Sequence, residues 1–129
     1  MPQYISAVTV LVPGYDAGIA FYVGALGFSL VEDRAMGPSK RWVLVAPPGA
    51  RETRLLLAMA DGPAQAARIG DQAGGRVGFF LTTDNFARDH VVMLAKGVKF
   101  RESPREEPYG TVAVFEDPFG NAWDLIQPA

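Results

Sequence analysis

The stretch "EDPFGNAWDLIQ", residues 116–127, decides how the rest of the chain is read. Asp117, Pro118, Phe119 and Gly120 put Asp at i, Pro at i+1 and Gly at i+3, the residue preferences of a type I turn. Such a turn sets the register of the strand that follows. Period-two alternation then places Ala122, Asp124 and Ile126 on one face and Trp123, Leu125 and Gln127 on the other. An acid between Trp123 and Leu125 admits three roles: metal ligand, substrate contact, or a wet residue on the outer face of a strand.

Upstream of this turn, "RVGFFLTT" (76–83), "VKFRES" (98–103) and "TVAVFED" (111–117) read as strands. Between the first two, a helix is expected over Asn85 to Lys96, capped by Asp84 and closed by Gly97. The first half repeats this order. "ISAVTVLV" (5–12) is β-branched and stops at Pro13-Gly14; Ile19, Tyr22, Val23 and Leu26 then recur at helical spacing, with Asp16 as the expected cap and Gly27 at the end. "FSLVED", "RWVLVAPP" and "TRLLLAMA" follow as three strands. Gly27-Phe28 and Gly97-Val98 occupy the same helix-to-strand corner, so the chain reads as two copies of a β-α-β-β-β unit. The expectation is one α+β domain over 1–129, with module 1 at about 1–60, an Ala- and Gly-rich connector at 61–75, and module 2 at about 76–129.

Composition narrows the function classes. Hydrophobic residues make up 49% and charged residues 20%, a globular balance. Twelve basic side chains against fourteen acidic ones leave a net charge of -2, scattered along the chain, so no nucleic-acid partner is expected. With no cysteine, thiolate nucleophiles and Cys-based metal sites are excluded. The N-terminus shows neither a basic n-region nor a long apolar run, and a cytoplasmic protein without membrane contact is expected. No Gly-x-Ser-x-Gly, Walker A or Gly-x-Gly-x-x-Gly motif occurs.

At "VTVLVPGYDAGIAFYVGALGFSLVED", "GRVGFFLTTDNFARDHVVMLAKGVKF" and "EPYGTVAVFEDPFGNAWDLIQ" the sequence resembles the vicinal oxygen chelate superfamily, which includes glyoxalase I, bleomycin-resistance proteins and extradiol dioxygenases. "DPFGNAWDLIQ" is similar to the family's Asp-Pro-x-Gly-Asn-x-Trp-Glu/Asp-Leu signature. The resemblance covers nearly the whole chain. It implies curled mixed sheets, each built from one module, around a ligand cup, and a homodimer. It also implies that metal-using members draw ligands from four inward strand positions. These fall here on Ala7, Leu56, Gly78 and Asp124, of which only the last can ligate.

Ligand counting agrees. A catalytic zinc takes three protein ligands and a facial iron triad needs two His, whereas His90 is the only histidine. His90 lies four residues from both Phe86 and Leu94 and reads as a border residue of a helix's buried face. No metal site and no cofactor are therefore expected. "RESPREEPYG" (101–110) offers Arg101 or Arg105 as an anion clamp, but its alternating charges read as a self-neutralising loop. A metal-free cup would use aromatics and a few polar groups. The candidate ligand-binding residues are Asp124, Tyr109, Phe80, Trp42, Arg41 and Phe119, with no catalytic residue assigned. The functional expectation is a metal-independent binder of a small apolar or aromatic molecule. The alternatives are a metal-dependent lyase or dioxygenase of the same superfamily, which the ligand count disfavours, and a non-enzymatic protein whose cup is filled by its own side chains.

Overall fold

A computed structural model describes residues 2–129. The chain forms two compact units, one ending at Ile69 and the other spanning Gly70–Ala129. Their boundary falls inside the Ala- and Gly-rich connector.

The first unit carries strands β1 (Ala7–Val12), β2 (Ser29–Ala35), β3 (Arg41–Ala46) and β4 (Arg54–Met59), with helices α1 (Tyr15–Ile19) and α2 (Gly62–Ala66). Its sheet runs in the order β1-β4-β3-β2. β1 is parallel to β4 and the other pairs are antiparallel. Alternation turns Val10, Val12, Val43, Val45 and Leu57 to one face, where each is fully buried. Each such side chain contributes about 1.5–3 kcal/mol relative to exposure. α1 packs on β1, β3 and β4. Gly18 permits that approach, because a Cβ there would stand 3.0 Å from Leu57 Cδ1 and 3.2 Å from Val12 Cγ1.

α1 continues into a π-helical stretch at Ala20–Ala25, in which the Leu26 N–H donates to the Phe21 carbonyl at 2.9 Å. The wider turn leaves the adjacent Phe21 and Tyr22 both buried. Asp16 does not cap α1. The cap is Gly14, which offers no side-chain bond, and Asp16 sits in the first turn instead.

The second unit carries β5 (Val77–Thr82), α3 (Phe86–Ala95), β6 (Lys99–Phe100), β7 (Arg105–Glu107), β8 (Gly110–Glu116) and β9 (Ala122–Pro128). β5 is parallel to β9, β9 antiparallel to β8, and β6 and β7 both pair with β8. As in the first unit, the opening strand lies parallel to the closing one. α3 packs on β9 over an aromatic core. Phe79 stacks on Trp123 with ring centroids 4.7 Å apart, and Phe115 stacks on the same indole at 5.7 Å. His90 stacks on Phe86 and meets the Phe100 ring edge-on at 4.6 Å, a packing position.

The cap of α3 is Asn85, one residue later than expected, whose Oδ1 accepts from the Arg88 N–H at 3.0 Å. Asp84 pairs with the Arg88 guanidinium instead. At the other end Gly97 adopts φ 83. There the Val98 and Gly97 N–H groups donate to the Met93 and Leu94 carbonyls, the Schellman arrangement that glycine favours. Gly27, with φ 76, closes the first helix in the corresponding place. "RESPREEPYG" is not simply a loop, since Arg105–Glu107 pairs with β8 as an edge strand. Charged side chains are how edges avoid pairing with other chains, which reconciles the composition with the strand.

The 116–127 turn is built as its residues indicate. The Gly120 N–H donates to the Asp117 carbonyl, and the Asp117 N–H to the Asn121 carbonyl at 3.0 Å. The Asp117 carboxylate, 2% exposed, accepts from the N–H groups of Phe119 and Asn121 and from Asn121 Nδ2, at 3.0, 2.8 and 2.7 Å. No helix among the described residues is long and apolar enough to cross a membrane.

Candidate functional site

The second unit's sheet has one face under α3 and one face without a helix. Register sets Phe80 opposite Asp124 and Asp124 opposite Val114, so β5, β9 and β8 contribute one row to the helix-free face. Phe80 is 67% exposed there, so its ring faces solvent. Asp124 lies beside it, and its Oδ1 is buried without a hydrogen-bond partner. Burial pushes the Asp124 pKa above the ordinary carboxylate value; the positive charge of Arg105 opposes that shift and the Glu102 carboxylate adds to it.

Arg105 is held in place by its own neighbours. Its Nε donates to Glu102 Oε1 at 2.9 Å and its Nη1 to Glu107 Oε1 at 2.9 Å. Glu102 Oε2 accepts from the Val114 N–H at 2.9 Å, which ties this network to β8. Glu102, then Glu107 and Tyr109, raise the Arg105 pKa above the ordinary arginine value, so its charge is permanent. Tyr109, 54% exposed, completes this side of the sheet. Arg105 thus pairs inside its own segment, whereas Arg101 is neutralised from β8 by Glu116, Nε to Oε2 at 2.6 Å.

Phe119 stands apart from that row. It belongs to the turn beyond the Glu116–Ala122 end of the β8–β9 ladder, with its N–H bound to Asp117. Trp42 and Arg41 belong to the first unit, where both line a cavity of about 420 Å³. Arg41 forks onto both oxygens of Asp33, at 3.1 and 2.8 Å, and reaches Asp16 Oδ1 at 2.9 Å. Its guanidinium also lies 5.2 Å from the centroid of the Tyr15 ring. The bond to Arg41 holds the Asp33 carboxyl below its ordinary pKa. Arg41 is thus a saturated cation, with its bidentate face already taken by a carboxylate.

Sequence reasoning passed over Arg54. It opens β4 opposite Ala7, and its Nε is buried without a partner. The only signal for it is a lone Arg at the start of an otherwise apolar strand.

The donor set does not suit a divalent metal. Of the four positions at which the resemblance implies ligands only Asp124 carries a donor, and among the described residues no three His, Asp or Glu side chains gather closely enough to hold an ion.

Comparison with known proteins places this geometry in a family. Residues 4–125 match the model of the Glyoxalase/Bleomycin resistance protein/Dioxygenase superfamily. A protein of Shewanella frigidimarina (strain NCIMB 400) is 52% identical over 128 residues, spanning 98% of this chain and 95% of its own length. Among solved structures, UcmS2 superposes with a TM-score of 0.85 at 31% identity, over 98% of both chains. TnmS3, described as an antibiotic binding protein from Streptomyces sp. CB03234, superposes with a TM-score of 0.79 at 32% identity, over 99% of this chain and 98% of that one. With the family model spanning both sheets and their connector, this chain belongs to the Glyoxalase/Bleomycin resistance protein/Dioxygenase superfamily.

Proposed function

We propose that this protein binds a small apolar or aromatic molecule without a metal, on the helix-free face of the second unit's sheet. One observation carries the reading: the buried, unpartnered Asp124 Oδ1 beside the exposed Phe80 ring. A buried acceptor without a donor is costly, and an aromatic ligand that stacks on Phe80 while donating one N–H or O–H to Asp124 satisfies both groups. Tyr109 and Arg105 supply polar contacts at the margin. The likeness to an antibiotic binding protein at 32% identity supports a binding role. That no three His, Asp or Glu side chains gather around an ion-sized site among the described residues weighs against the lyase and dioxygenase alternative.

The test is a melting-temperature screen of planar aromatic antibiotics against the protein and Asp124→Ala. At a ligand concentration one hundred times Kd, binding adds about 2.7 kcal/mol of stability. The reading expects a hit whose stabilisation drops at least tenfold in affinity in Asp124→Ala, with the unliganded variant still folded. A hit that binds the variant unchanged removes Asp124 from the site.

A further inference from the structure

The 420 Å³ cavity of the first unit has an origin in its hydrogen-bond ladder. β3 and β4 are each six residues long, yet they pair only from Val43–Leu57 to Val45–Leu55. Beyond Val43 and Leu57 the strands part, although each keeps its outer neighbour. β3 stays with β2 through Arg41, and β4 stays with β1 through Met59. The cavity occupies this split, lined by Lys40, Arg41 and Trp42 on one side and by Ala58, Met59 and Asp61 on the other.

Backbone alternation identifies which main-chain groups face it. The Lys40 carbonyl accepts from Met36 on the β2 side, and the Ala60 N–H donates to Val12 on the β1 side. Successive residues of a strand point their N–H and C=O in opposite directions, so Arg41 and Met59 point theirs toward each other. No ladder pair joins these two residues. The ladder therefore ends with the N–H and C=O of Arg41 directed across the split toward those of Met59, an arrangement that suits a group able both to donate and to accept. An amide group has that chemistry.

The side chains restrict the ligand further. Trp42 is half-buried at the wall, and Tyr15 lies in the same lining under Arg41. Arg41 is saturated by Asp33 and Asp16, so Lys40 is the available cation. Asp61 on the facing wall precedes α2 and makes no side-chain capping bond. Among the described residues neither Lys40 nor Asp61 is held in an ion pair. A volume of this size suits a small molecule of two residues rather than a longer strand.

We propose that the split between β3 and β4 is a second binding site, specific for a small zwitterionic aromatic amide of dipeptide type. The ligand amide bridges the main-chain groups of Arg41 and Met59, its ring packs on Trp42, its carboxylate meets Lys40 and its ammonium meets Asp61. This site does not depend on Asp124 or on the reading of the second unit.

The probe is glycyl-phenylalanine, titrated calorimetrically and by the emission of Trp42, the more exposed of two tryptophans since Trp123 is 3% exposed. Three analogues each remove one feature: glycyl-N-methylphenylalanine the amide N–H, glycylglycine the ring, and glycyl-phenylalaninamide the carboxylate. Saturable binding is expected, with each analogue about fivefold to tenfold weaker. Lys40→Ala, a change at an exposed side chain, is expected to make glycyl-phenylalanine and its amide bind equally. No saturable binding up to the solubility limit overturns the proposal. So does an N-methyl analogue that binds as tightly as the parent, because the split would then play no part.

Discussion

Replacing Asp117 tests whether the turn that opens β9 sets the second unit. The carboxylate is 2% exposed and accepts three N–H groups between 2.7 and 3.0 Å, two of them from Asn121, which is itself 5% exposed. Asp117→Ala removes all three bonds and leaves both Asn121 donors buried without partners. Each stranded donor costs about 1–3 kcal/mol, and the shared geometry prevents simple addition, so a loss of about 3 kcal/mol is expected. An unfolding entropy of about 2.1 cal/mol/K per residue over 129 residues turns that loss into a fall in Tm of about 11 °C. Asp117→Asn keeps an oxygen for the two main-chain donors and sets an amide against Asn121 Nδ2, so it is expected to lose about 1 kcal/mol. Urea unfolding followed by near-ultraviolet circular dichroism, which sees Trp123 six residues downstream, measures both. A loss below about 1 kcal/mol in Asp117→Ala, or an Asn variant as damaged as the Ala variant, refutes the reasoning.

Asp124 carries a prediction of opposite sign. Its pKa is raised in the folded state, so the folded protein holds the proton more tightly than the unfolded chain does. Stability is then greatest below the unfolded carboxyl value of 3.8 and declines as pH rises through the folded value. Asp124→Asn is expected to gain about 1 kcal/mol at pH 7 by removing a partly buried charge, and nothing at pH 3 where the carboxyl is already neutral. A gain of the same size at both pH values contradicts this account. Asn85→Ala should cost about 1 kcal/mol by removing the cap bond to Arg88. Hydrogen exchange in the first turn of α3 should then accelerate about fivefold, and unchanged exchange would show that Asp84 serves as the cap instead.

Much of this architecture is legible in the sequence because its signals are local. The valine-rich strands, the two glycines that end the helices and the Asp-Pro-x-Gly turn each follow from the preferences of a few adjacent residues. Helix starts are less legible. Asp16 and Asp84 have the chemistry of caps, but each lies beside an Arg partner that takes its carboxylate, and Gly14 and Asn85 hold the cap positions. β7 was hidden because an edge strand and a solvated loop call for the same charged residues. Within the site, alternation brings Phe80 and Asp124 to one face. Arg41, in contrast, reads in sequence as a basic residue available to a ligand and proves saturated, because Asp33 and Asp16 reach it from a different strand and from a helix. The split between β3 and β4 has no sequence signature, since the end of a ladder depends on how two strands diverge and not on which residues they contain.

The most direct test of the central claim is calorimetric titration of the best aromatic hit from the melting screen, in the presence of EDTA and again with added manganese, nickel or zinc. Metal-independent binding predicts the same affinity in every case, lost in Asp124→Ala. Binding that vanishes in EDTA and returns with one of the metals at unit stoichiometry would contradict the account and make Asp124 a metal ligand.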